Sequence, residues 1–307
     1  MSKIHAISVS DRKGIRKTNV DKAFFENDHG IKNDAHAGKW HRQVSLLALE
    51  SVNKMVEQGL DVKSGDFAEN VTTVDLDLLS LPIGTELKIG DVSLIISQIG
   101  KTCHHRCAIY RQAGDCVMPK EGIFGVVRGS GELSVGDEIE NLGKKGFSVG
   151  IITLSDRASK GEYEDKTGPD IEKYVKENLQ TSFIRRDVIA DEKNQLEALL
   201  KDFADTQRFD IIITNGSTGV APRDIAPDVT LPLIEKRLLG FEEVMRAESF
   251  KITKTAAISR AVCGIRGTSL IINLPGSPKG AIENLSSIMP AIDHAVKKIH
   301  GDKSDCA

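Results

Sequence analysis

The second half of the chain consists of near-continuous apolar runs of strand length, separated by stretches with helical spacing. Three of these runs lie in FSVGIITLS (147–155), RFDIIIT (208–214) and TSLIINLPGSPKG (268–280). Such runs are typical of strands buried on both faces in parallel sheets that helices cover. A further strand is predicted at 182–189, and helices at about 168–179, 191–204, within 227–254 and up to about 299. This half therefore predicts an α/β fold with a mainly parallel sheet.

The first half alternates shorter apolar runs with turns, which predicts a mostly β structure in a barrel-like arrangement. Strands are expected in QVSLLAL (43–49), TELKIGDVSLIISQIG (85–100) and ELSVGDEIE (132–140). A Gly-Asp pair inside the second of these segments is flanked by alternating apolar residues, which indicates a hairpin. One helix is expected at about 48–58, where apolar residues recur at helical spacing.

The two patterns meet at NLGKKGF (141–147), which has two glycines, two lysines and little apolar content. A length of 307 residues leaves room for two ordinary domains. We therefore predict a first domain at 1–142, a linker at 143–146 and a second domain at 147–307.

Charge and composition argue against several classes of protein. The net charge is −3; residues 1–142 carry 17 Lys and Arg against 20 Asp and Glu, and residues 143–307 carry 24 against 24. Because neither half is basic, no broad nucleic-acid-binding face is expected. No apolar run approaches the roughly 18 residues of a membrane span, and MSKIHAISVSDRKG lacks the features of a signal peptide. We expect a cytoplasmic protein.

Three strands of the second half are followed by polar loops, LSDRASKGEYEDKTGP (154–169), TNGSTGVAPRD (214–224) and NLPGSPKG (273–280). The carboxyl ends of parallel strands meet at one edge of a sheet, where ligands bind in a crevice. The loops hold small and hydroxyl-bearing residues, namely Gly216, Ser217, Thr218, Gly219, Gly276 and Ser277, with Pro275 and Pro278 as stiffening residues. Backbone and hydroxyl donors of this kind suit a phosphate. Each loop alone also fits a simple tight turn, and neither GxxxxGKS/T nor GxGxxG is present.

Two aspartates stand close to these loops. Asp224 ends the second loop, and Asp191 lies in VIADEKNQ (188–195) at the start of a predicted helix. An aspartate beside a polyphosphate can hold Mg²⁺, which prefers carboxylate and phosphate oxygens. For Asp191, capping of the helix is the alternative interpretation.

The first half holds a cluster of cysteines and histidines in GKTCHHRCAIYRQAGDC (100–116). The chain has 5 cysteines, and three of them, Cys103, Cys107 and Cys116, fall in this segment. The spacing leaves open a zinc site, a reactive thiolate activated by the neighbouring Arg and His residues, or small buried cysteines. Two further histidines, His36 and His41, flank Trp40 and are candidates for the same site.

Residues 147–300 resemble the MogA/MoaB-like molybdopterin-binding family. The matching segments are TLSDRASKGEYEDKTGP, TNGSTGVAPRD, AAISRAVCGIRG and LIINLPGSPKG, in the family's order. The resemblance implies a three-layer α/β fold, often trimeric, that transfers adenylyl from Mg-ATP to molybdopterin. It implies catalytic roles for Asp191 and Asp224. The binding residues that it implies are Ser155, Asp156, Gly216, Ser217, Thr218, Gly219, Asn273, Pro275, Gly276 and Ser277.

Residues 1–142 resemble the MOSC domain, named after the C-terminal domain of molybdenum cofactor sulfurases. The matching segments are GIKNDAHAGKWHRQVSLLALES, SGDFAENVTT, LPIGTELKIGD and GKTCHHRCAIYRQAGDCVMPKEGIF. The resemblance implies a β-barrel that handles sulfur or the molybdenum cofactor through a cysteine, which is either Cys103 or Cys107.

Both halves depart from the family patterns at individual positions. The usual Thr-Gly-Gly-Thr-Gly loop is here Asn215-Gly216-Ser217-Thr218-Gly219. Serine at position 217 costs about 1 kcal/mol or more if the backbone there has positive φ, and otherwise adds a hydroxyl donor. Asn33 replaces a usual glycine, and asparagine is the residue best suited to a left-handed backbone after glycine.

These observations predict a molybdopterin adenylyltransferase fused to a MOSC domain. Its substrates would be Mg-ATP and molybdopterin, and its partners other molybdenum cofactor biosynthesis proteins and further copies of itself. An alternative, favoured by Ser217, is a non-catalytic carrier or scaffold for molybdopterin or the finished cofactor. In a third hypothesis the MOSC half has its own activity, with Cys103 or Cys107 carrying a persulfide or binding molybdenum.

Overall fold

The computed structural model describes residues 1–13, 15–101 and 116–304, and the chain divides into two units, Met1–Lys145 and Gly146–Ala307. The last strand of the first unit, Glu140–Lys144, extends into the predicted linker 143–146. Lys145 and Gly146 alone separate it from the first strand of the second unit, Phe147–Leu154. None of the helices in the described ranges combines the length and apolar composition that crossing a membrane requires.

The first unit is mostly β, as predicted. Among its described residues the helices are α1 (Leu49–Glu57) and α2 (Met118–Glu121), with a 3-10 turn at Leu78–Ser80. Its strands are β1 (Lys3–Val9), β2 (Thr18–Val20), β3 (Lys22–Glu26), β4 (Gly30–Ile31), β5 (Val44–Ala48), β6 (Val71–Val74), β7 (Thr85–Ile89), β8 (Val92–Ile99), β9 (Ile123–Arg128), β10 (Gly131–Ser134) and β11 (Glu140–Lys144).

The local predictions for the first unit have mixed outcomes. The hairpin at Gly90-Asp91 is confirmed, because Ile89 of β7 pairs with Val92 of β8 and Gly90 has φ 54°. The helix at 48–58 is also confirmed, as α1. The single strand at 132–140 is wrong. Gly136 has φ 94°, and the Asp137 carboxylate accepts a hydrogen bond from Ser134 N at 2.8 Å. The resulting turn separates β10 from β11.

The first unit contains a curled sheet. Eight strands pair in the order β11-β7-β8-β9-β5-β6-β1-β2, and β10-β3-β4 form a second sheet. Within the large sheet β5 and β6 are parallel, whereas the other described pairings are antiparallel. An isolated bridge between Lys3 and Glu138 brings the segment before β11 alongside β1. Because β11 forms one edge of the sheet and β1 lies next to the other edge, the sheet curves back toward its start.

The second unit has the predicted mainly parallel sheet. Its helices are α3 (Asp156–Ser159), α4 (Thr167–Asn178), α5 (Lys193–Lys201), α6 (Ala226–Thr230), α7 (Leu239–Ile252) and α8 (Pro278–Ile299). Its strands are β12 (Phe147–Leu154), β13 (Thr181–Ile189), β14 (Ile211–Asn215), β15 (Lys236–Arg237), β16 (Cys263–Arg266) and β17 (Ser269–Leu274).

The strand order is β13-β12-β14-β17-β16-β15. The first four strands are parallel, whereas β16 and β15 are antiparallel to their neighbours. The sequence does not predict these last two strands. With four and two residues, they are too short to give a periodic signal.

Both faces of this sheet are covered by helical segments. Val149 and Ile151 of β12 share a buried apolar cluster with Ile171 of α4 and Leu285 of α8. Between them Gly150 faces the opposite side, where the buried ring of Phe203 lies in a π-helical segment after α5. Burial on both faces explains why the strands lack polar alternation.

The parallel strands bring three loops to one edge of the sheet. In the strand register, Thr153 of β12 pairs with Asn215 of β14, and Asn215 pairs with Leu274 of β17. The three strands therefore end at the same level, and the segments that begin at Ser155, Gly216 and Pro275 leave the sheet side by side.

Replacing Gly150 by alanine is expected to destabilise the second unit. A Cβ at Gly150 would lie 2.3 Å from Phe203 Cδ2 and 2.5 Å from Cε2, and overpacking of this kind costs about 1–3 kcal/mol. Urea unfolding of the full chain, followed by circular dichroism, should show a lower midpoint. Fluorescence of the single Trp40, which lies in the first unit, gives an internal reference.

The matched control is Gly240→Ala in α7, because a Cβ there would meet no atom within 4 Å. This change should leave stability unchanged or raise it by up to about 1 kcal/mol, since alanine favours a helix over glycine. Equal midpoints for the two variants would contradict the packing of Phe203 on Gly150.

Candidate functional site

Glycines allow the loops at the sheet edge to touch through their backbones. Gly216 has φ 98°, and a Cβ there would lie 2.5 Å from Leu154 O. A Cβ at Gly276 would lie 3.2 Å from the Cα of Gly216. The hydroxyl of Thr167 donates to Gly276 O at 2.7 Å, which ties the start of α4 to the third loop. The three loops thus form one continuous wall.

These loops line an open cavity of about 490 Å³ at the carboxyl edge of the sheet. Seven of the predicted site residues line it: Ser155, Asp191, Gly216, Ser217, Asp224, Gly276 and Ser277. Its cationic lining residues are Arg157, Lys166 and Arg223. The structure thus brings both predicted catalytic aspartates and two glycine loops to one cavity.

Three other predicted residues line a neighbouring cavity. Thr218, Gly219 and Pro275 contribute to a space of about 250 Å³ on the other side of the loops. Ser277 lines both cavities, and its hydroxyl accepts a hydrogen bond from Gly280 N at 3.3 Å as the N-cap of α8.

Asn273 is enclosed by the fold. It is fully buried in β17, and its side-chain amide donates to Thr214 Oγ1 at 2.8 Å and Thr230 Oγ1 at 3.0 Å. Its Oδ1 accepts from Val262 N at 3.3 Å. These bonds give Asn273 a role in holding β17 against its neighbours.

The carboxylates of Asp156 and Asp191 each accept a hydrogen bond from the backbone N–H of the other residue. Asp156 N donates to Asp191 Oδ2 at 3.0 Å, and Asp191 N donates to Asp156 Oδ1 at 3.1 Å. Arg223 donates to both carboxylate oxygens of Asp156, at 2.7 and 2.6 Å. These hydrogen bonds from Arg223 lower the pKa of Asp156 below its ordinary value. Asp156 therefore positions Asp191 and anchors Arg223 beside the cavity.

Asp224 closes the second loop on itself. Its Oδ2 accepts from Ala221 N at 2.8 Å. A Cβ at Gly219 would lie only 2.7 Å from the same oxygen, so only glycine leaves room for this carboxylate.

Arg260 is a site residue that the sequence patterns do not reveal. Its guanidinium donates to Gly219 O and Asp224 O, each at 2.7 Å, and pairs with Asp228 Oδ1 at 2.8 Å. Hydrogen bonds from Arg260 in turn lower the pKa of Asp228. The arginine fixes both ends of the 219–224 segment. Arg260 lies in the family-like segment AAISRAVCGIRG, but no local pattern shows which carbonyl groups a distant arginine contacts.

Ser217 adopts a left-handed backbone, with φ 58°. Its hydroxyl donates to Arg223 O at 3.0 Å and accepts from Ile225 N at 2.8 Å. The hydroxyl proton is thus used within the loop and is not available to a ligand in this arrangement. The serine both strains the loop and cross-links it.

The two aspartates do not belong to a preformed metal cluster. Within the described ranges no group of three or more His, Cys, Asp or Glu side chains is arranged to hold a metal ion. Mg²⁺ at phosphate sites commonly takes only one or two carboxylates, together with substrate oxygens and water. A pair of aspartates beside a phosphate-suited loop is compatible with that mode.

The first unit holds a separate polar cluster. Lys17 Nζ lies 2.6 Å from Asp34 Oδ2 and 3.2 Å from His36 Nδ1, and the Lys17 and Asp34 side chains are buried. Burial lowers the pKa of Lys17, although the Asp34 hydrogen bond opposes this shift. Burial alone would raise the pKa of Asp34, but bonds from His36 and Lys17 hold it well below its ordinary value. The other candidate histidine, His41, contacts Gln98 Oε1 at 2.8 Å.

The cysteine candidates Cys103 and Cys107 lie outside the described residues, as do His104 and His105. Cys116 is described and buried in an apolar cluster with Leu47, Met55 and Phe124. That environment fits the interpretation of Cys116 as a small core residue.

Asn33 has φ 66°, so it adopts the left-handed backbone that was expected for it.

The strain at Ser217 can be measured with two substitutions. Ser217→Ala loses both hydroxyl bonds and keeps a Cβ on a left-handed backbone, whereas Ser217→Gly loses the bonds but relieves the strain. We expect the alanine variant to be less stable than the glycine variant by about 1 kcal/mol. Urea unfolding of both variants tests this expectation, and equal midpoints would show that position 217 carries no strain.

Comparison with known proteins gives two matches along the chain. Residues 150–294 match a family described as a probable molybdopterin binding domain, and residues 33–140 match the MOSC domain. The molybdopterin adenylyltransferase of Helicobacter pylori strain J99 is 43% identical over 155 residues, which cover 50% of this chain and 88% of that protein. The molybdopterin adenylyltransferase of Escherichia coli K12 is 38% identical over 154 residues, which cover 50% and 78%.

Among solved structures, the molybdopterin biosynthesis enzyme MoaB of Thermus thermophilus is 39% identical. The alignment covers 51% of this chain and 98% of that one, with a TM-score of 0.47. The predicted resemblance of each half is confirmed by the family matches. By its identity to nearly the full length of a molybdopterin adenylyltransferase, the chain belongs to the molybdopterin-binding family that includes those enzymes, and it carries a MOSC domain in its first half.

Proposed function

We propose that this protein catalyses Mg-ATP-dependent adenylylation of molybdopterin, a step of molybdenum cofactor biosynthesis. The observation that carries the proposal is the single cavity in which Asp191 and Asp224 meet the loops of Gly216 and Gly276. Relatives of the second unit bear the name of this activity. The cationic lining of the same cavity, from Arg157, Lys166 and Arg223, suits two substrates that both carry phosphate.

The two aspartates would hold Mg²⁺, which would neutralise charge on the triphosphate. Asp191 and Asp224 each use one carboxylate oxygen, Oδ2, to accept a backbone N–H. These hydrogen bonds fix the direction of each carboxylate. In the part of the chain that is described, the other oxygen of each carboxylate has no hydrogen bond and is available to a cation.

The main contribution of the chain to this reaction would be to align the molybdopterin phosphate with the phosphates of ATP. An oxygen of the molybdopterin phosphate attacks the α-phosphorus of ATP, the bond from that phosphorus to the bridging oxygen breaks, and pyrophosphate leaves. The attacking phosphate is already ionised, so no general base is required. Backbone N–H groups of the two glycine loops would hold the phosphates in line, and fixed donors of this kind lower the barrier without reorganising.

Removing the charge of Asp224 is expected to abolish most of this activity. Asp224→Asn keeps an oxygen to accept from Ala221 N, so the loop should retain its shape. Pyrophosphate release from Mg-ATP and molybdopterin should fall by about 100-fold or more, the usual effect of removing one preorganised electrostatic group. Unchanged turnover would exclude the role given to Asp224.

The control is Asp205→Asn, which removes one carboxylate from the same unit outside the cavity. Asp205 pairs with Arg266 at 2.7 Å on the surface, and its loss should leave turnover near the wild-type rate. The non-catalytic carrier predicts a different result, namely tight molybdopterin binding by the wild-type chain with no ATP consumption.

We also propose that the second unit forms a homotrimer. Val244, Phe250 and Ile252 in α7 and Ile258 just after it are exposed, with 42%, 43%, 56% and 54% of their surface accessible. These exposed apolar side chains support the proposal, because contact with another copy would remove apolar surface from water. Cys263 is buried and forms no disulfide. It supports a reducing compartment such as the cytoplasm, where partner biosynthesis proteins would act.

For the first unit we propose a closed β-barrel that handles sulfur or the molybdenum cofactor. The bridge from Lys3 to Glu138 supports closure, and the MOSC match supports the role.

We expect mass spectrometry of the intact protein to show a sulfur or molybdenum adduct that is lost in Cys103→Ser or Cys107→Ser. The control Cys116→Ser should retain the adduct, because Cys116 is enclosed by apolar side chains. An adduct-free wild-type protein purified from molybdate-supplied cells would contradict this role.

A further inference from the structure

Asn215 leaves a buried hydrogen-bond acceptor without a partner beside the cavity. The residue lines the cavity and is 1% exposed. Its Oδ1 is buried and has no hydrogen-bond partner among the described residues. Buried side-chain oxygens nearly always have a partner in a folded protein, so an exception at a cavity wall points to a ligand or a water molecule.

The orientation of the Asn215 amide follows from its neighbours. Asp165 Oδ2 accepts from Thr153 Oγ1 at 2.8 Å, and Asp165 Oδ1 accepts from Gly168 N at 3.0 Å. In the first of these bonds the Thr153 hydroxyl is the donor, so its proton points to Asp165. Thr153 Oγ1 can then only accept, and the donor that it faces at 3.0 Å is Asn215 Nδ2.

Turning the amide over would place the oxygen of Asn215 against the oxygen of Thr153, with no proton between them. The chain of bonds from Asp165 through Thr153 therefore fixes which end of the amide is left over. Gly168 supports this arrangement, because a Cβ there would lie 2.4 Å from Asp165 Oδ2 and displace the carboxylate. The unused atom of Asn215 is thus an acceptor in a fixed position.

We propose that Asn215 is a specificity-determining residue whose Oδ1 accepts a hydrogen bond from an N–H or O–H group of a substrate in the cavity. The inference rests on the proposed function, since it concerns the substrates of that reaction. Ionised phosphate oxygens carry no proton to donate, so the donor belongs to an organic part of a substrate. It is an amino or ring N–H of a heterocycle, or a hydroxyl of the ribose.

Such an acceptor complements the glycine loops. The loops offer N–H donors, which suit phosphate oxygens, whereas Asn215 offers the opposite polarity at the end of β14. A molecule that carries phosphate but lacks the donor would bury the Asn215 oxygen unpaired, and sites built in this way reject such analogues. Thr153 and Asp165 act as positioning residues, because they set the amide orientation.

The test compares ligands that differ by one donor. Binding of ATP, 2′-deoxy-ATP, 3′-deoxy-ATP and purine riboside triphosphate, which lacks the amino group, is measured by calorimetry on the full-length chain with Mg²⁺. If the donor belongs to ATP, one of these analogues should bind the wild-type chain about tenfold more weakly than ATP. In Asn215→Leu, which removes the acceptor and keeps the size, ATP and that analogue should bind equally.

If the donor belongs to the pterin, the ATP analogues should all bind alike. Asn215→Leu should then bind molybdopterin about tenfold more weakly than the wild-type chain does, with its affinity for ATP unchanged. The control is Tyr163→Phe, which removes a hydroxyl from another part of the cavity wall. Tyr163→Phe should discriminate between ATP and its analogues, and bind molybdopterin, as the wild-type chain does. If this variant instead of Asn215→Leu loses the discrimination or the affinity, the contact belongs to Tyr163 and the proposal is overturned.

The proposal is also overturned if no ATP analogue loses affinity for the wild-type chain and Asn215→Leu binds molybdopterin normally. In that case Asn215 Oδ1 holds only water. Should Asn215→Leu fail to fold, Asn215→Ser replaces it in both arms, because serine is too short to reach the same donor. Pyrophosphate release is measured on the same wild-type sample. If pyrophosphate is released but ligand binding does not depend on the donor group, this inference is refuted and adenylyl transfer stands. If binding depends on the donor group but no pyrophosphate is released, adenylyl transfer is refuted and this inference stands.

Discussion

The second unit depends on a contact between two backbones. The loops after β14 and β17 approach so closely that a Cβ at Gly276 would lie 3.2 Å from the Cα of Gly216. This approach is available because the two strands are parallel neighbours that end in register, with Asn215 opposite Leu274. A side chain at Gly276 would press against Gly216, and one at Gly216 would lie 2.5 Å from Leu154 O. Since backbone N–H groups are the donors best suited to phosphate, the contact determines where an anion can be held.

Arg223 lines the cavity and Arg260 holds one of its loops, and the surroundings of the two arginines differ. Arg260 donates to the carbonyl oxygens of Gly219 and Asp224, so it is bound to the framework of the loop itself. Arg223 instead pairs with Asp156 and Glu192 through side chains that are about half exposed. Exposed ion pairs contribute little to stability and are screened by salt. Loss of the Arg223 ion pairs would therefore cost the fold little, whereas loss of the Arg260 hydrogen bonds would release the backbone of the loop.

The sequence predicts the parts of this molecule that depend on local patterns. The parallel strands β12, β14 and β17 and the edge where their loops meet follow from apolar runs and loop composition. The Gly90-Asp91 hairpin follows from turn chemistry. The parts that it does not predict depend on distant partners. Asn273 resembles a loop residue in NLPGSPKG, yet Thr214, Thr230 and Val262 enclose its side chain. Strands as short as β15 leave no pattern, and the contacts of Arg260 span 36 residues or more to Asp224 and Gly219.

Ser217 shows how a departure from a family pattern can leave a site intact. With φ 58°, the serine adopts the backbone that a glycine would adopt freely. The cost of about 1 kcal/mol is opposed by two hydrogen bonds of its hydroxyl, to Arg223 O and from Ile225 N, each worth about 1 kcal/mol. Because the backbone conformation is kept, the neighbouring N–H groups stay where a glycine would place them. The serine is therefore no argument for a carrier without catalysis, since the geometry that a phosphate requires does not depend on which of the two residues is present.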